Sequence, residues 1–298
     1  MRARVADARP SVVSSDQCLD DAREASRVLV GDCQLVLKTL PSASVRTCVT
    51  SPPYWGLRDY EVPRDAQLGA EEDPDEYVSK LVAVFDEVAR VLTEDGTVWL
   101  NLGDSYTSGN RTWRATDRKN PAREMSYRPP TPEGLKPKDL VGIPWRVAFA
   151  LQEAGWYLRS DIIWHKPNCQ PESVRDRPTQ SHEYLFLLSK SLRYYYDTEA
   201  AREAALDGGA RNRRTVWSIP TEPNREAHFA KFPPALVEPC VLAGTEEGDA
   251  VLDPFFGSGT VGTVANQLGR SFIGIELRPE YAAIAARRTG ATVMKASG

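Results

Sequence analysis

The fold of this 298-residue chain is decided by one stretch near its C-terminus, Val251-Leu252-Asp253-Pro254-Phe255-Phe256-Gly257-Ser258-Gly259-Thr260. A short apolar strand runs into a glycine loop, and a predicted helix begins at Thr260. Glycine allows a tight turn and close backbone approach, while a helix N-terminus offers unpaired N–H groups to an anionic part of a ligand. No lysine precedes Thr260, so the loop is not a P-loop. The pattern predicts a ligand-binding unit of an α/β sheet.

The next β unit strengthens this interpretation. The predicted strand Ser271 to Ile275 ends at Glu276. An acidic side chain at that position can accept hydrogen bonds from both hydroxyls of a bound ribose. NAD is the competing ligand, but its GxGxxG fingerprint leaves Asp253-Pro254-Phe255 unexplained. The two features together favour a different nucleoside-containing cofactor.

A second loop stands far upstream, where the predicted strand Val45 to Thr50 runs into Ser51-Pro52-Pro53-Tyr54. Two consecutive prolines hold the backbone extended and rigid, because φ is fixed at both. Strands alternate with predicted helices along most of the chain, which indicates a parallel sheet covered on both faces. Both loops should then lie at the carboxyl edge of that sheet, where open α/β sheets bind ligands.

In this order the two loops resemble those of the β-class DNA amino-methyltransferases of the SPPY type, a circularly permuted branch that modifies cytosine N4 or adenine N6. The resemblance runs from about Arg27 to Arg288. It implies a Rossmann-like methyltransferase fold with a mostly parallel sheet of seven strands, an antiparallel strand near Glu183 to Ser189 and inserted DNA-recognition loops. The N-terminal strand Arg27 to Val30 should lie beside Ser271 to Ile275.

The resemblance also implies S-adenosyl-L-methionine as the cofactor. The glycine loop would surround its methionine part, Glu276 its ribose and Asp32 its adenine. The implied cofactor-binding residues are Asp32, Cys33, Phe232, Asp253, Pro254, Phe255, Gly257, Ser258, Gly259, Thr260, Glu276 and Leu277. No metal is expected, because three histidines and five scattered cysteines give no zinc-ligand spacing.

The implied catalytic residues are Ser51, Pro52, Pro53 and Tyr54. An exocyclic base amine is a poor nucleophile, so it needs acceptors for its hydrogens rather than a covalent nucleophile. The Ser51 hydroxyl and the Pro52 carbonyl can accept them, and Tyr54 offers a flat face to a flipped base. Serine in the first position is commoner among the cytosine-N4 members of the family, so the resemblance implies cytosine N4 in double-stranded DNA, with adenine N6 as the alternative. An RNA or protein amine methyltransferase, or a binding protein that has lost activity, are further hypotheses.

Two irregular stretches, 105–139 and 200–227, are interpreted as target-recognition loops because they are long, aperiodic and basic. Arginine can read guanine edges or hold phosphates. The expected DNA-binding residues are Arg111, Arg114, Arg118, Lys119, Arg211, Arg213 and Arg214. The net charge of −4 does not exclude such a role, because it hides how the charge is distributed.

The expected domain organisation is an N-terminal arm (1–26), one methyltransferase domain (27–290) and a short tail (291–298). The chain lacks a long apolar run and a signal-peptide core, so we expect a cytoplasmic protein without a membrane partner. The resemblance implies double-stranded DNA as a partner. It also implies a cognate restriction endonuclease if the enzyme belongs to a restriction-modification system. A monomer and a homodimer both remain open.

Overall fold

Strands and helices alternate through most of the described chain. The computed structural model describes residues 26–57, 67–109, 128–205, 208–222 and 232–295. The strands are β1 (Arg27–Val30), β2 (Val45–Thr50), β3 (Leu92–Leu102), β4 (Tyr157–His165), β5 (His182–Ser189), β6 (Glu203–Ala204), β7 (Ala210–Arg211), β8 (Val216–Ser218), β9 (Ala250–Asp253), β10 (Ser271–Glu276) and β11 (Thr292–Lys295). The helices are α1 (Cys33–Thr39), α2 (Pro74–Val91), α3 (Ile143–Glu153), α4 (Pro234–Gly244), α5 (Thr260–Gln267) and α6 (Pro279–Thr289).

Helix α2 illustrates how local sequence sets these elements. Asp73 caps it by accepting a 3.0 Å hydrogen bond from the backbone N–H of Asp75, and Pro74 occupies the first turn, where its missing N–H costs nothing. Apolar residues recur at helical spacing and form one buried face. The buried residues of this helix are Pro74, Tyr77, Leu81, Val84, Phe85, Val88 and Val91.

One large sheet contains most of the strands, in the order β11-β1-β10-β9-β2-β3-β5-β4-β8. Adjacent strands of this sheet are parallel, except that β5 is antiparallel to both β3 and β4. The predicted mostly parallel sheet, its antiparallel strand and the pairing of β1 with β10 are therefore confirmed. Strands β6 and β7 form a separate small ladder.

The predicted number of seven strands is wrong, because this sheet contains nine in the described part of the chain. The two extra strands lie at its edges: β8 pairs with β4 inside the region interpreted as irregular, and β11 pairs with β1 inside the expected tail. β8 has three residues, and every residue of β11 is exposed. Neither carries the alternation of apolar and polar residues that marks a half-buried strand.

Helices cover both faces of the sheet. Side chains of α1, α2 and α3, among them Leu37, Phe85 and Val147, form one buried cluster with one face of the strands. Side chains of α4, α5 and α6, among them Leu236 and Val261, form a second cluster with the opposite face. Within the described ranges, no helix combines the length and the apolar character that crossing a bilayer would require.

The order of the strands defines where a ligand can enter. From β9 the sheet continues through β10 in one direction, whereas from β2 it continues through β3 in the other. The loops after β9 and β2 therefore diverge and open a crevice at the carboxyl edge. Such a topological switch point is where open α/β sheets bind their ligands.

Candidate active site

The two sequence loops meet at this switch point. The Thr50 hydroxyl, at the end of β2, donates a 2.6 Å hydrogen bond to Oδ1 of Asp253, at the end of β9. The same oxygen accepts a 3.0 Å bond from the backbone N–H of Phe255. Asp253 is buried, and this burial raises the pKa of its carboxyl group to about 7. Asp253 thus joins the glycine loop to the strand that carries Ser51.

The glycine loop forms an open cradle. Gly257 and Gly259 have φ values of 52° and 81°, in the left-handed region that favours glycine. The space that a side chain at Gly257 would occupy holds no atom within 4 Å. The carboxylate of Glu276 supports the loop: it accepts hydrogen bonds from the backbone N–H groups of Gly257 at 2.8 Å and Arg278 at 2.9 Å. Burial raises the pKa of Glu276.

Neighbouring side chains brace this cradle from behind. Arg288 of α6 donates to the carbonyl oxygen of Ser258 at 2.6 Å and to its hydroxyl at 2.8 Å. The ring of Phe256 stacks on Phe272 at a centroid distance of 5.0 Å. Pro254 and Thr260 are also buried, whereas Phe255 stays half-buried. The loop is therefore held rigidly in front of the N-terminus of α5.

The residues expected near adenine lie beside Glu276. The backbone N–H of Gly31 donates to the carbonyl of Glu276 at 3.0 Å, which brings Asp32 to the same edge. Asp32 caps α1, because its Oδ1 accepts from the backbone of Gln34 at 2.8 Å. Cys33 is half-buried, and its pKa is raised to about 12, mainly by burial, so the thiol stays neutral. Leu277 is 37% exposed.

A narrow gap, too small to hold a water molecule, lies between α4 and the ends of β2 and β3. Phe232 contributes to its wall, so the structure brings this predicted residue to the same edge. The lining residues are Val49, Thr50, Trp99, Asn101, Leu185, Phe232, Leu236, Val237 and Cys240.

The Ser51–Tyr54 loop is anchored on both sides. The Tyr77 hydroxyl of α2 donates a 2.8 Å bond to the carbonyl of Pro53. The Tyr54 ring lies against Gly103, where an added Cβ would approach the ring to 2.7 Å. Gly103 therefore allows a close approach that no other residue would. Ser51, Pro53 and Tyr54 remain partly accessible, whereas Pro52 is buried.

A polar cluster, which we call the hydroxyl network, surrounds Tyr54. The Ser51 hydroxyl donates to the Tyr54 oxygen at 3.2 Å, and the Tyr54 hydroxyl donates to Oε2 of Glu183 at 2.8 Å. Asn101 Nδ2 donates to Tyr54 at 2.6 Å and to Glu183 at 2.9 Å. Lys166 pairs with Oε1 of Glu183. Burial, followed by the Glu183 charge, raises the pKa of Tyr54 well above its usual value.

Sequence reasoning assigned no role to Glu183 or Lys166. The available signal was a charged residue at the start of an otherwise apolar strand, and a lysine directly after the end of another strand. His165, the last residue of β4, has its contact outside this network. Its Nδ1 lies 3.0 Å from the hydroxyl of Ser218 in β8.

Three of the predicted DNA-binding residues lie in the described part of the chain, and they differ in their contacts. Arg211 forms a 2.8 Å ion pair with Glu203, and Arg213 donates to the carbonyl of Ala201 at 3.1 Å. Arg214 is exposed. All three precede β8, whose first residue, Val216, pairs with Ile163 near the carboxyl end of β4. The remaining residues, Arg111, Arg114, Arg118 and Lys119, lie outside the described residues.

Comparison with known proteins adds independent evidence. Residues 45–287 match the family model described as DNA methylase, of the N6/N4 methyltransferase type. The type II methyltransferase M.Cfr9I of Citrobacter freundii is 64% identical over 258 residues, which cover 87% of this chain and 85% of that protein. M.SmaI of Serratia marcescens is 58% identical over 276 residues, covering 92% and 94%.

Solved structures show the same fold. A candidate DNA modification methylase of Thermus thermophilus, solved with S-adenosyl-L-methionine, matches with a TM-score of 0.62 and 28% identity, covering 91% of this chain and 100% of that one. The cytosine-N4-specific PvuII DNA methyltransferase matches with a TM-score of 0.65 and 22% identity, covering 89% and 86%, and shows the fold alone. With the cofactor-type loop after the SPPY loop in the chain, the protein belongs to the β-class N4/N6 DNA amino-methyltransferases of the DNA methylase family.

Proposed function

We propose that this chain is a site-specific DNA methyltransferase that modifies the exocyclic N4 amine of cytosine in double-stranded DNA, with the target base flipped out of the helix. The observation that carries the proposal is the hydrogen bond between Thr50 and Asp253. It holds the loop suited to a base amine and the loop suited to a nucleoside cofactor on neighbouring strands. A methyl donor and its acceptor need this proximity.

The cofactor is S-adenosyl-L-methionine, which supplies a methyl group on a positively charged sulfur. The residues present fit it, since Gly257 has open space beside it and its backbone N–H is bonded to the carboxylate of Glu276. Glu276 would accept hydrogen bonds from the ribose hydroxyls, and the N-terminus of α5 would face an anionic group. Asp32, Cys33 and Leu277 would border the adenine, while Phe232 and the loop from Asp253 to Thr260 would border the methionine part.

On the target side, the protein prepares the amine. Ser51 Oγ and the carbonyl of Pro52 accept its two hydrogens, which frees the nitrogen lone pair for attack. Tyr54 presents its partly exposed ring to the base. The product amine loses a proton readily to water, so no side chain is needed as a base.

Cytosine is favoured over adenine by Ser51 in the first position of the loop, because family members with serine there act mostly on cytosine N4. Adenine N6 is the alternative, since both amines present the same two hydrogens. The relatives are named type II methyltransferases, which supports DNA over RNA or protein as the substrate. It also supports a cognate restriction endonuclease as a partner; the protein would act as a monomer or a homodimer.

The test is methyl transfer from labelled cofactor to DNA, RNA and protein in parallel. Methylated DNA is then digested to nucleosides and separated by mass spectrometry, which distinguishes N4-methylcytosine from N6-methyladenine. We expect label in DNA, in N4-methylcytosine. Label only in N6-methyladenine would overturn the choice of base, and label only in RNA or protein would overturn the substrate class. A Ser51→Ala variant, which lacks the acceptor hydroxyl, controls for a contaminating activity.

A further inference from the structure

The residues of the hydroxyl network come from the ends of four strands. Ser51 and Tyr54 follow β2, Asn101 lies near the end of β3, and Lys166 follows β4. Glu183 lies at the start of β5, and it reaches the same edge because β5 runs antiparallel to its neighbours. Its side chain is 16% exposed, and that of Lys166 is 17% exposed. A carboxylate this sheltered must be satisfied by specific partners.

The donors and acceptors in the network can be assigned from its chemistry. An ionised carboxylate only accepts hydrogen bonds, so Tyr54 must donate its single proton to Glu183. The 3.2 Å contact between Tyr54 and Ser51 then has to use the Ser51 proton. Asn101 must turn its NH2 group towards Glu183, because its carbonyl oxygen would be repelled there. Each proton therefore points towards the carboxylate.

We propose that Glu183 is a positioning residue that fixes the direction of these hydrogen bonds, so that the Ser51 oxygen faces the target amine with its lone pairs. The inference rests on the function proposed above. Glu183 touches neither the base nor the cofactor in this scheme. It acts through Tyr54, and Lys166 holds its other oxygen.

Replacement of Glu183 by Gln reverses this direction. The Lys166 ammonium attracts the amide oxygen, which leaves the amide NH2 group facing Tyr54 and Asn101. Tyr54 then donates its proton to Ser51, and the Ser51 proton points towards the hydrogens of the target amine. We expect kcat to fall by at least about 100-fold, the scale of losing one oriented group in a catalytic site. The affinities for cofactor and DNA should change by less than about threefold, within the factor by which single-interaction magnitudes vary with context.

The matched control is Glu172→Gln. This carboxylate is 25% exposed and is also paired with a cation, Arg177, but lies outside the network. It should retain wild-type kcat. Equal kcat for Glu183→Gln and the wild type would overturn the inference while leaving the methyltransferase function intact. Absence of methyl transfer to DNA by the wild type would instead overturn the proposed function.

Two further variants distinguish an effect on the direction of the hydrogen bonds from a loss of structural support for the loop. Lys166→Met keeps an apolar stem over Trp164, whose ring lies 4.2 Å from the ammonium, and leaves the carboxylate as an acceptor. We expect its kcat to stay within about tenfold of wild type, well short of the loss for a missing oriented group. In the double variant Lys166→Met/Glu183→Gln, the amide oxygen is free to turn towards Tyr54. The double variant should therefore recover at least about tenfold in kcat over Glu183→Gln, which is about 1.4 kcal/mol of activation free energy. A double variant as slow as Glu183→Gln, or slower, would contradict the proposal.

Discussion

At the scale of single residues, the proposed chemistry requires two tasks, and each loop serves one of them: the glycine loop binds the cofactor and the Ser51–Tyr54 loop binds the target amine. Gly257 and Glu276 belong to the cradle, whereas Ser51 and Tyr54 belong to the loop that follows β2. Asp253 joins the two loops, because its buried carboxyl group accepts hydrogen bonds from Thr50 and from the backbone of Phe255. Substitutions in these three groups should therefore have different consequences.

We first predict that Gly257→Ala weakens cofactor binding at least tenfold, because a methyl group would enter the cradle. Gly290→Ala is the matched control, since Gly290 also has a positive φ (74°) and open space beside it, but lies at the end of α6. Both variants should lose about 1 kcal/mol of stability from left-handed backbone strain. Isothermal titration calorimetry with S-adenosyl-L-methionine measures the affinities. Equal losses in the two variants would contradict this placement of the cofactor.

The second prediction concerns the dependence of stability on pH at Asp253. Folding raises the pKa of this carboxyl from 3.8 to about 7, so the folded state binds its proton more tightly than the unfolded state. Its contribution to stability is fully present below pH 3.8 and is lost as the pH rises through about 7. Asp253→Asn removes this dependence while its amide oxygen keeps both hydrogen bonds.

Urea unfolding of both proteins between pH 5 and 8 tests this expectation. The stability of the wild type relative to Asp253→Asn should fall as the pH rises, with a slope approaching about 1.4 kcal/mol per pH unit below the folded pKa. Thr50→Val, which deletes the donor, should destabilise the protein at all of these pH values. A difference between wild type and Asp253→Asn that does not change with pH would show that the carboxyl titrates normally.

At the scale of elements, the helices hold the functional loops in place as well as covering the sheet. Helix α2 buries one apolar face and also supplies the Tyr77 hydroxyl to the carbonyl of Pro53. Strand β5 has a comparable double role, because its reversed direction brings Glu183 to the active edge while Phe186 and Leu188 pack in the core.

The third prediction therefore separates anchoring from core packing in α2. Tyr77→Phe removes one hydrogen bond, worth about 1 kcal/mol, and should lower kcat because the Ser51–Tyr54 loop loses an anchor. Phe85→Leu, on the same buried face, should cost a comparable amount of stability without lowering kcat. Urea unfolding and steady-state kinetics measure the two effects. A normal kcat for Tyr77→Phe would mean that the two prolines alone hold the loop.

At the scale of the whole molecule, the sheet collects the functional residues at one edge, but the distribution of basic residues is less simple. Arg211 and Arg213 are engaged with Glu203 and Ala201, whereas Arg214 is exposed. An exposed arginine can reach a DNA phosphate without first breaking an internal contact. The recognition loops 105–139 and 200–227 remain proposals, because part of each lies outside the described residues.

The fourth prediction is that Arg214→Ala weakens DNA binding for all sequences and lowers the slope of log affinity against log salt by about 1, as expected for one lost phosphate contact. Arg211→Ala, whose guanidinium is already paired, should have a smaller effect. Fluorescence anisotropy with a labelled duplex at several salt concentrations measures both. A change in sequence preference, rather than a uniform loss, would indicate that Arg214 reads a base.

The sequence by itself determined the strand–loop–helix units, because the signals for them are local: apolar runs, glycines with special backbone angles and a rigid double proline. It also predicted the antiparallel β5 and the placement of β1 beside β10, through the resemblance to a family. The sequence did not predict the edge strands β8 and β11, because such short strands gain their stability from pairing with a neighbouring strand rather than from a pattern of apolar residues.

Only the tertiary structure decided which polar groups meet. Thr50 and Asp253 are separated by 203 residues, and Tyr54 and Glu183 by 129. No local pattern records such a pairing, because each partner looks like an ordinary polar residue at a strand end. The sheet order brings these ends together in a sheltered place, where an unpaired charge or hydroxyl is costly. That shared environment couples Ser51, Tyr54, Asn101, Lys166 and Glu183 into one network.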